Sequence, residues 1–229
     1  MPAPLTLVIP TLNAADTLAP CAEALMPGLH AGLIARLVVS DGGSQDGTPR
    51  LAEALGAEIV TGPPGRGGQL ARGVAAAATD WLLLLHADTR LSEGWVEAVE
   101  AHVAGHPDRA GHFRLAFRAE GMAPKLVAGW ANLRSGAFGL PYGDQGLLIR
   151  RDLLESVGGV PDLPLMEDVA LARALKGRLR QLPATATTSA ARYEAEGWMR
   201  RGAGNLWTLA RYRAGADPAA LAEDYARRR

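Results

Sequence analysis

The chain has 229 residues, 48% of them hydrophobic, with 24 basic and 24 acidic side chains and a formal net charge of zero. That length and apolar content support a sizeable core without disulfides or a structural metal, and the charge balance argues against wholesale nucleic-acid binding. A single cysteine, Cys21, excludes a disulfide framework and reads as a small apolar core residue.

The N-terminal stretch MPAPLTLVIP has no basic segment followed by a long apolar one, so it does not read as a signal peptide. No apolar run approaches the roughly 20 residues of a membrane span. A cytoplasmic protein, free or peripheral at the inner face of a membrane, is expected. LTLVIP (5–10) reads as a first strand, and a helix is expected over 15–29. IARLVVSD (34–41) is a second strand, followed by the turn GGSQDGT and a helix over 48–56. AEIVTG (57–62) is a third strand, PPGRGG a loop, 67–78 an alanine-rich helix, and WLLLLH (81–86) a fourth strand. These strands are continuous apolar runs, as expected for strands buried on both faces. Strand–helix repeats at this spacing imply a parallel sheet with right-handed crossovers. Beyond a helix over 93–105 the pattern changes. AGHFRLAFRA (110–119) alternates like a half-exposed strand, 123–135 is helix-like, GLLIRR is a strand, 166–177 looks helical and 194–213 is an amphipathic helix. The arrangement reads as one α/β domain over 1–229, with a nucleotide-binding half (1–105), an acceptor and catalytic half (106–190) and C-terminal amphipathic helices (191–229).

Open parallel sheets bind ligands at the carboxyl ends of their strands. Strand one ends at Pro10-Thr11-Leu12-Asn13, strand two at Asp41, and strand four at His86 and Asp88, so three polar clusters converge on one edge. Each alone has an ordinary explanation as a cap or turn residue. Asp88 suits a hard cation such as Mg²⁺ or Mn²⁺, with substrate phosphates filling other positions. His86, two residues earlier, points the same way if the backbone stays extended, and is either a metal or phosphate ligand or a hydrogen-bonded structural histidine. GPPGRGGQLARG (62–73) either presents amides and Arg66 to a diphosphate or is a plain surface loop; it is neither a P-loop nor GxGxxG. Glu167 and Asp168 open a helix, where acidic residues are favoured by the dipole; the functional alternative makes Asp168 a general base. Tyr142, Asp144 and Gln145 lie in a Gly-flanked loop that either lines an acceptor pocket or is a simple turn.

Together LVIPTLNAADTL, VVSDGGSQDGT, GRGGQLARG, LLLLHADTRL, GDQGLLIRR and LMEDVALARAL resemble, in order and over roughly 5–178, the inverting nucleotide-sugar glycosyltransferases of family 2. His86-Ala87-Asp88 in place of Asp-x-Asp, with GRGGQ and PYGDQG, looks most like the bacterial subgroup known as radical-SAM/selenodomain-associated transferases. The resemblance implies a GT-A fold, with a Rossmann-like, mostly parallel sheet. It implies a UDP- or GDP-linked sugar donor and a Mn²⁺ or Mg²⁺ ion on Asp88. Pro10, Thr11 and Asn13 would contact the nucleoside, Asp41 the base, and Arg66 the diphosphate. Asp168 would be the catalytic base, with Glu167 beside the acceptor, a small-molecule or lipid-linked hydroxyl. Two departures stand out: Gly42 replaces the usual second acidic residue, and His86 the first Asp of Asp-x-Asp. The Gln-x-x-Arg-Trp signature of processive members is absent, so polymer synthesis is not expected.

A pyrophosphorylase-like transferase places its Gly-rich basic loop directly after strand one, where this chain has PTLN. A non-catalytic nucleotide-binding protein is less expected with Asp41, Asp88 and Asp168 all present. EAEGWMRRGAGNLWTLARYR (194–213) combines tryptophans with arginines. It reads as an interfacial helix that meets a membrane, or as one packed on the core or on a partner subunit in a homodimer.

Overall fold

The computed structural model describes residues 4–227, the side chain of Ala226 excepted, so the last two arginines of the terminal YARRR lie outside the described residues. The chain runs β1 (Leu5–Thr11), α1 (Ala15–His30), β2 (Ile34–Asp41), α2 (Thr48–Ala54), β3 (Glu58–Thr61), α3 (Arg66–Ala76) and β4 (Trp81–Leu84). It continues through β5 (Arg90–Leu91), α4 (Trp95–Gly105), β6 (Ala110–Phe117), α5 (Met122–Phe138), a 3₁₀ turn (Gly143–Gln145), β7 (Leu147–Arg150) and α6 (Arg151–Ser156). The last elements are α7 (Glu167–Ala174), β8 (Leu179–Thr188), α8 (Ala191–Glu196), α9 (Trp198–Arg213) and α10 (Pro218–Arg227).

One sheet collects the strands in the order β3-β2-β1-β4-β7-β6-β8-β5. The β3-β2-β1-β4 part is parallel throughout. β7 enters antiparallel beside β4, and β6 and β8 pair in parallel further out. The apolar runs follow from two-sided burial. In β1, Leu5, Leu7 and Ile9 pack with Leu18, Cys21 and Leu25 of α1, and with Trp95 and Val99 of α4. On the opposite face Val8 packs with Leu70 of α3, Leu154 of α6 and Leu171 of α7. β4 alternates likewise, with Leu83 in the first layer and Leu82 and Leu84 in the second. Cys21 is buried, and burial pushes its thiol up to about 12.

The structure differs from the sequence reading in four places. β4 ends at Leu84, and the chain turns at Ala87-Asp88, so His86 and Asp88 are not strand neighbours on one face. β7 stops at Arg150, and α6 follows at once. β8 fills a stretch that carried no expected element. Pro183 hides it, yet Leu182, Ala184, Ala186 and Thr188 are buried with a period of two. Pro183 lies at the register shift opposite His112–Arg114, where a missing N–H disturbs no regular ladder. The expected helix over 194–213 is broken at Gly197, whose φ of 87° suits only glycine. α10 falls within the C-terminal helices expected over 191–229; Pro218 stands at its start and Asp217 Oδ1 accepts the Ala219 N–H at 3.0 Å.

Candidate functional site

A cleft of about 650 Å³ opens at the carboxyl edge of the parallel strands. Pro10, Thr11, Asn13, Arg66, His86, Asp88, Tyr142, Asp144 and Asp168 line it. Three other sequence candidates lie behind its surface, and each has a local reason.

Asp41 is 2% exposed and forms the centre of a turn. Its Oδ1 accepts from Thr11 Oγ1 at 2.8 Å and Ser44 Oγ at 2.5 Å; its Oδ2 accepts from the Gly43 and Ser44 amides at 2.9 and 2.8 Å. Burial alone would raise the carboxyl's pKa, but these donors outweigh it and hold the group below the usual range. Asn13 belongs to the same unit. Its Oδ1 accepts from the Gln45 amide at 2.8 Å, and its backbone takes a left-handed φ of 50° that asparagine tolerates. Thr11, Asn13 and Asp41 therefore form one cross-linked wall.

Gln69, on α3, closes the GRGGQ motif and is a site-building residue to which the sequence assigned no role. Its Nε2 donates to the carbonyls of Thr11 and Ser40 at 2.7 and 2.9 Å, clipping the ends of β1 and β2 together. Gly42 faces it: a Cβ at that position would sit 3.1 Å from the Gln69 amide group. The glycine at 42 thus leaves room for this glutamine. The Gly-rich loop does not offer its amides freely. The Gly67 N–H donates to Leu163 O at 3.2 Å and the Gly65 N–H to Gln69 Oε1 at 3.2 Å. A Cβ on Gly67 would lie 2.3 Å from Pro161 O, so that glycine serves close backbone packing.

Across the cleft, Asp168 lies in the first turn of α7. Its Oδ2 accepts the Gly143 N–H at 2.9 Å, joining α7 to the 3₁₀ turn. His86 packs on the same glycine, since a Cβ there would stand 2.6 Å from His86 Nε2. That nitrogen is buried without a hydrogen-bond partner among the described residues. Burial, with Arg66 and Arg192 adding to it, lowers the imidazole well below its ordinary pKa, so the ring is neutral. Met166, which precedes Glu167 and Asp168, holds a left-handed φ of 67°. A non-glycine residue there costs about 1–3 kcal/mol, and such strain clusters at functional sites.

Glu167 is 2% exposed and forms an ion pair with Arg66, Oε1 to Nε 3.6 Å. Burial pushes it up to about 7, with Asp168 adding to the rise and Arg66 opposing it. Asp144 rises to about 6, again chiefly through burial, against the pull of Arg134. Tyr142 carries the Arg134 guanidinium 3.2 Å from its ring centroid. Gln145 is fully buried and points away from the cleft, donating to Phe113 O and Ser135 Oγ at 3.0 Å.

The C-terminal helices close the cleft on its remaining side. Arg192, Tyr193, Arg201, Asn205, Thr208 and Tyr225 all line it. Sequence reading missed them because a contact between segments so far apart leaves no local pattern. The 3.6-residue spacing of Arg201, Asn205 and Thr208 was the one available signal. Among the described residues no three His, Cys, Asp or Glu side chains gather into a metal cage. A Mg²⁺- or Mn²⁺-type site needs fewer protein ligands when substrate phosphates supply the rest. Asp88 fits that requirement, whereas His86 Nε2 is shielded by Gly143.

The parallel β3-β2-β1-β4 core, the antiparallel β7 and the cleft at the strand ends define a GT-A-type α/β protein. The family model for glycosyl transferase family 2 matches residues 6–121, just over half of the sequence, and the chain belongs to that family. The match ends before Tyr142 and Asp168. No curated protein matches the sequence. Among solved structures, S. aureus TarS (residues 1–349, with UDP-GlcNAc) superposes with a TM-score of 0.60 at 14% identity, covering 80% of this chain and 58% of that one. Glucosyl-3-phosphoglycerate synthase from Mycobacterium tuberculosis, with Mn²⁺, UDP and glucosyl-3-phosphoglycerate, gives 0.54 at 23% identity, covering 81% and 70%. Mannosyl-3-phosphoglycerate synthase from Rubrobacter xylanophilus gives 0.53 at 22%, covering 81% and 64%. At these identities the likeness is one of fold. The chain spans less than two thirds of the TarS fragment's length.

Proposed function

We propose that the protein is a metal-dependent, inverting, non-processive glycosyltransferase that moves a sugar from a nucleoside diphosphate sugar to a hydroxyl acceptor. The observation that carries this reading is one cleft with Asp88 and Arg66 facing Asp168. An electrophile and its leaving group need cations and a metal ligand; a nucleophilic hydroxyl needs a base. The cleft holds both sets.

In this reading Thr11, Asn13 and Pro10 form the nucleoside wall, with Asp41 fixing its shape from behind. Arg66, half-exposed in the cleft and held charged by neighbouring Glu167 and Asp168, faces the diphosphate. Asp88 would hold a Mg²⁺ or Mn²⁺ ion, which supplies Lewis-acid stabilisation of the leaving diphosphate when bound. Asp168 takes the proton of the acceptor hydroxyl as its oxygen bonds to the anomeric carbon. The bond from that carbon to the phosphate oxygen breaks on the opposite side, and the configuration inverts. Tyr142 and Asp144 border the acceptor space; Gln145 and Glu167 support it from beneath. His86-Ala87-Asp88 supports placement in the His-Ala-Asp subgroup of the family. UDP is the first donor to test, since the TarS and glucosyl-3-phosphoglycerate synthase structures contain UDP or a UDP-sugar.

The test is thermal stability with UDP, GDP and their sugar conjugates, each with and without Mn²⁺ or Mg²⁺. A ligand at 100 times its dissociation constant stabilises by about 2.7 kcal/mol. A shift that needs both nucleotide and metal is expected; no shift under any combination overturns the reading.

A further inference from the structure

Two helices on the same side of the molecule present large apolar side chains to solvent. On α5 these are Met122, Leu126, Trp130 and Leu133; on α9 they are Met199, Leu206 and Trp207, all between 44% and 77% exposed. The spacing places each set on one helical face. α5 and α9 pack against each other. Neither helix can turn its apolar face inward. α5 is seated on β6 through Ala128 and Ala131, and Asn132 clips the Leu115 N–H and C=O at 2.7 and 3.0 Å. α9 is held by Trp198, stacked on Tyr193 and edge-on to Phe117, and commits its opposite face, Arg201, Asn205 and Thr208, to the cleft.

Charge identifies what covers this face. The whole chain balances 24 basic against 24 acidic residues. The segments 122–138 and 198–213 contain Lys125, Arg134, Arg200, Arg201, Arg211 and Arg213 and no Asp or Glu. Lys125, Arg200 and Arg213 are exposed around the apolar stripes. A two-fold dimer sets the same patch against itself, so these cations would meet their own copies with no carboxylate on either helix to answer them. An anionic lipid surface supplies the missing negative charge, while apolar side chains and interfacial tryptophans enter the headgroup boundary.

We propose that α5 and α9 form a docking face for membranes containing anionic phospholipid. The face is built on folded, packed helices and extends the apolar surface well beyond 194–213. Because α9 carries the docking stripe on one face and lines the cleft with the other, docking sets the cleft about one helix diameter, roughly 10 Å, from the lipid headgroups. On the transferase reading, the acceptor is then a hydroxyl carried by a lipid; docking itself does not depend on that reading.

Vesicle flotation without nucleotide tests the proposal. The full chain is mixed with vesicles of phosphatidylcholine alone, or of phosphatidylcholine with phosphatidylglycerol. The wild type is expected to float with the mixed vesicles and to release at high salt. Leu126→Ser/Trp130→Ser on α5 and Leu206→Ser/Trp207→Ser on α9 should each lower partitioning by about tenfold or more. Arg200→Gln/Arg213→Gln should lower it by roughly fivefold per charge removed. Since all six positions are solvent-facing or half-exposed, thermal midpoints should match the wild type. Failure of the wild type to float overturns the proposal. So does flotation of both serine variants at the wild-type level, or a concentration-dependent dimer that the serine variants dissolve. Vesicle binding in a protein that ignores all nucleotides would leave docking standing and remove the transferase reading.

Discussion

At the ends of β1 and β2, the side chains of Thr11, Asn13, Asp41 and Gln69 spend their hydrogen bonds on one another and on the backbone. Across the cleft, His86 Nε2, Tyr142 OH, Asp144 Oδ1 and both Glu167 oxygens lack hydrogen-bond partners among the described residues. The first wall is satisfied and its Asp41 carboxylate is held low; the second is under-satisfied, and its Asp144 and Glu167 carboxyls are pushed up. Buried polar groups normally find partners, and each exception needs a reason. A saturated wall holds a ligand in one place at no further cost. A wall with open valences and perturbed carboxyls is where protons move.

The contrast can be broken most sharply at Asp168. Asp168→Asn keeps an oxygen to accept the Gly143 N–H, so fold and nucleotide binding should survive. Turnover should fall by about 10²–10⁴, the usual worth of a general base. Single-turnover rates beside a nucleotide titration check this; full activity removes Asp168 from the role. A change on the satisfied wall should act the other way round. Asp41→Asn replaces an acceptor of four donors with a group that must itself donate, at a cost of about 2 kcal/mol. The thermal midpoint should drop by about 4–8 °C, with weaker nucleotide binding as the wall loosens. An unchanged midpoint would mean the turn does not depend on that carboxylate.

The smallest effect is in pH. The folded state raises Glu167 from its ordinary 4.5 to about 7, so it keeps a proton that the unfolded chain gives up in between. Its contribution to stability is complete below the unfolded value and is lost as pH climbs through about 7. Glu167→Gln should flatten that part of the profile, by on the order of 1 kcal/mol or about 2–4 °C between pH 5 and pH 8. Midpoints measured at both pH values give the answer; parallel profiles for the two proteins would contradict it.

The parallel half was legible in the sequence because its strands are short, apolar on both faces and separated by helices of ordinary length. The strand ends at Thr11 and Asp41 follow from that topology alone, and Asp88 lies in the turn after β4. What escaped had nonlocal or contrary causes. β8 has strand-favouring threonines, but its alanines are depleted in strands and Pro183 interrupts the run. Gln69 matters through two carbonyls on other elements, and no pattern within α3 announces it. The C-terminal wall of the cleft is the far face of a helix whose near face dominated its amphipathic signature. Asp41 and Gln145 were visible as residues, but only packing shows that they stand behind the surface.

Gly42 and Gln69 carry a further consequence for how the chain can change. The space one leaves is the space the other fills. A side chain introduced at 42 presses on the amide that ties β1 to β2, which must give by a few tenths of an ångström, and shortening residue 69 removes that tie. The two positions are therefore coupled, and a side chain at 42 is accommodated most easily together with a change at 69.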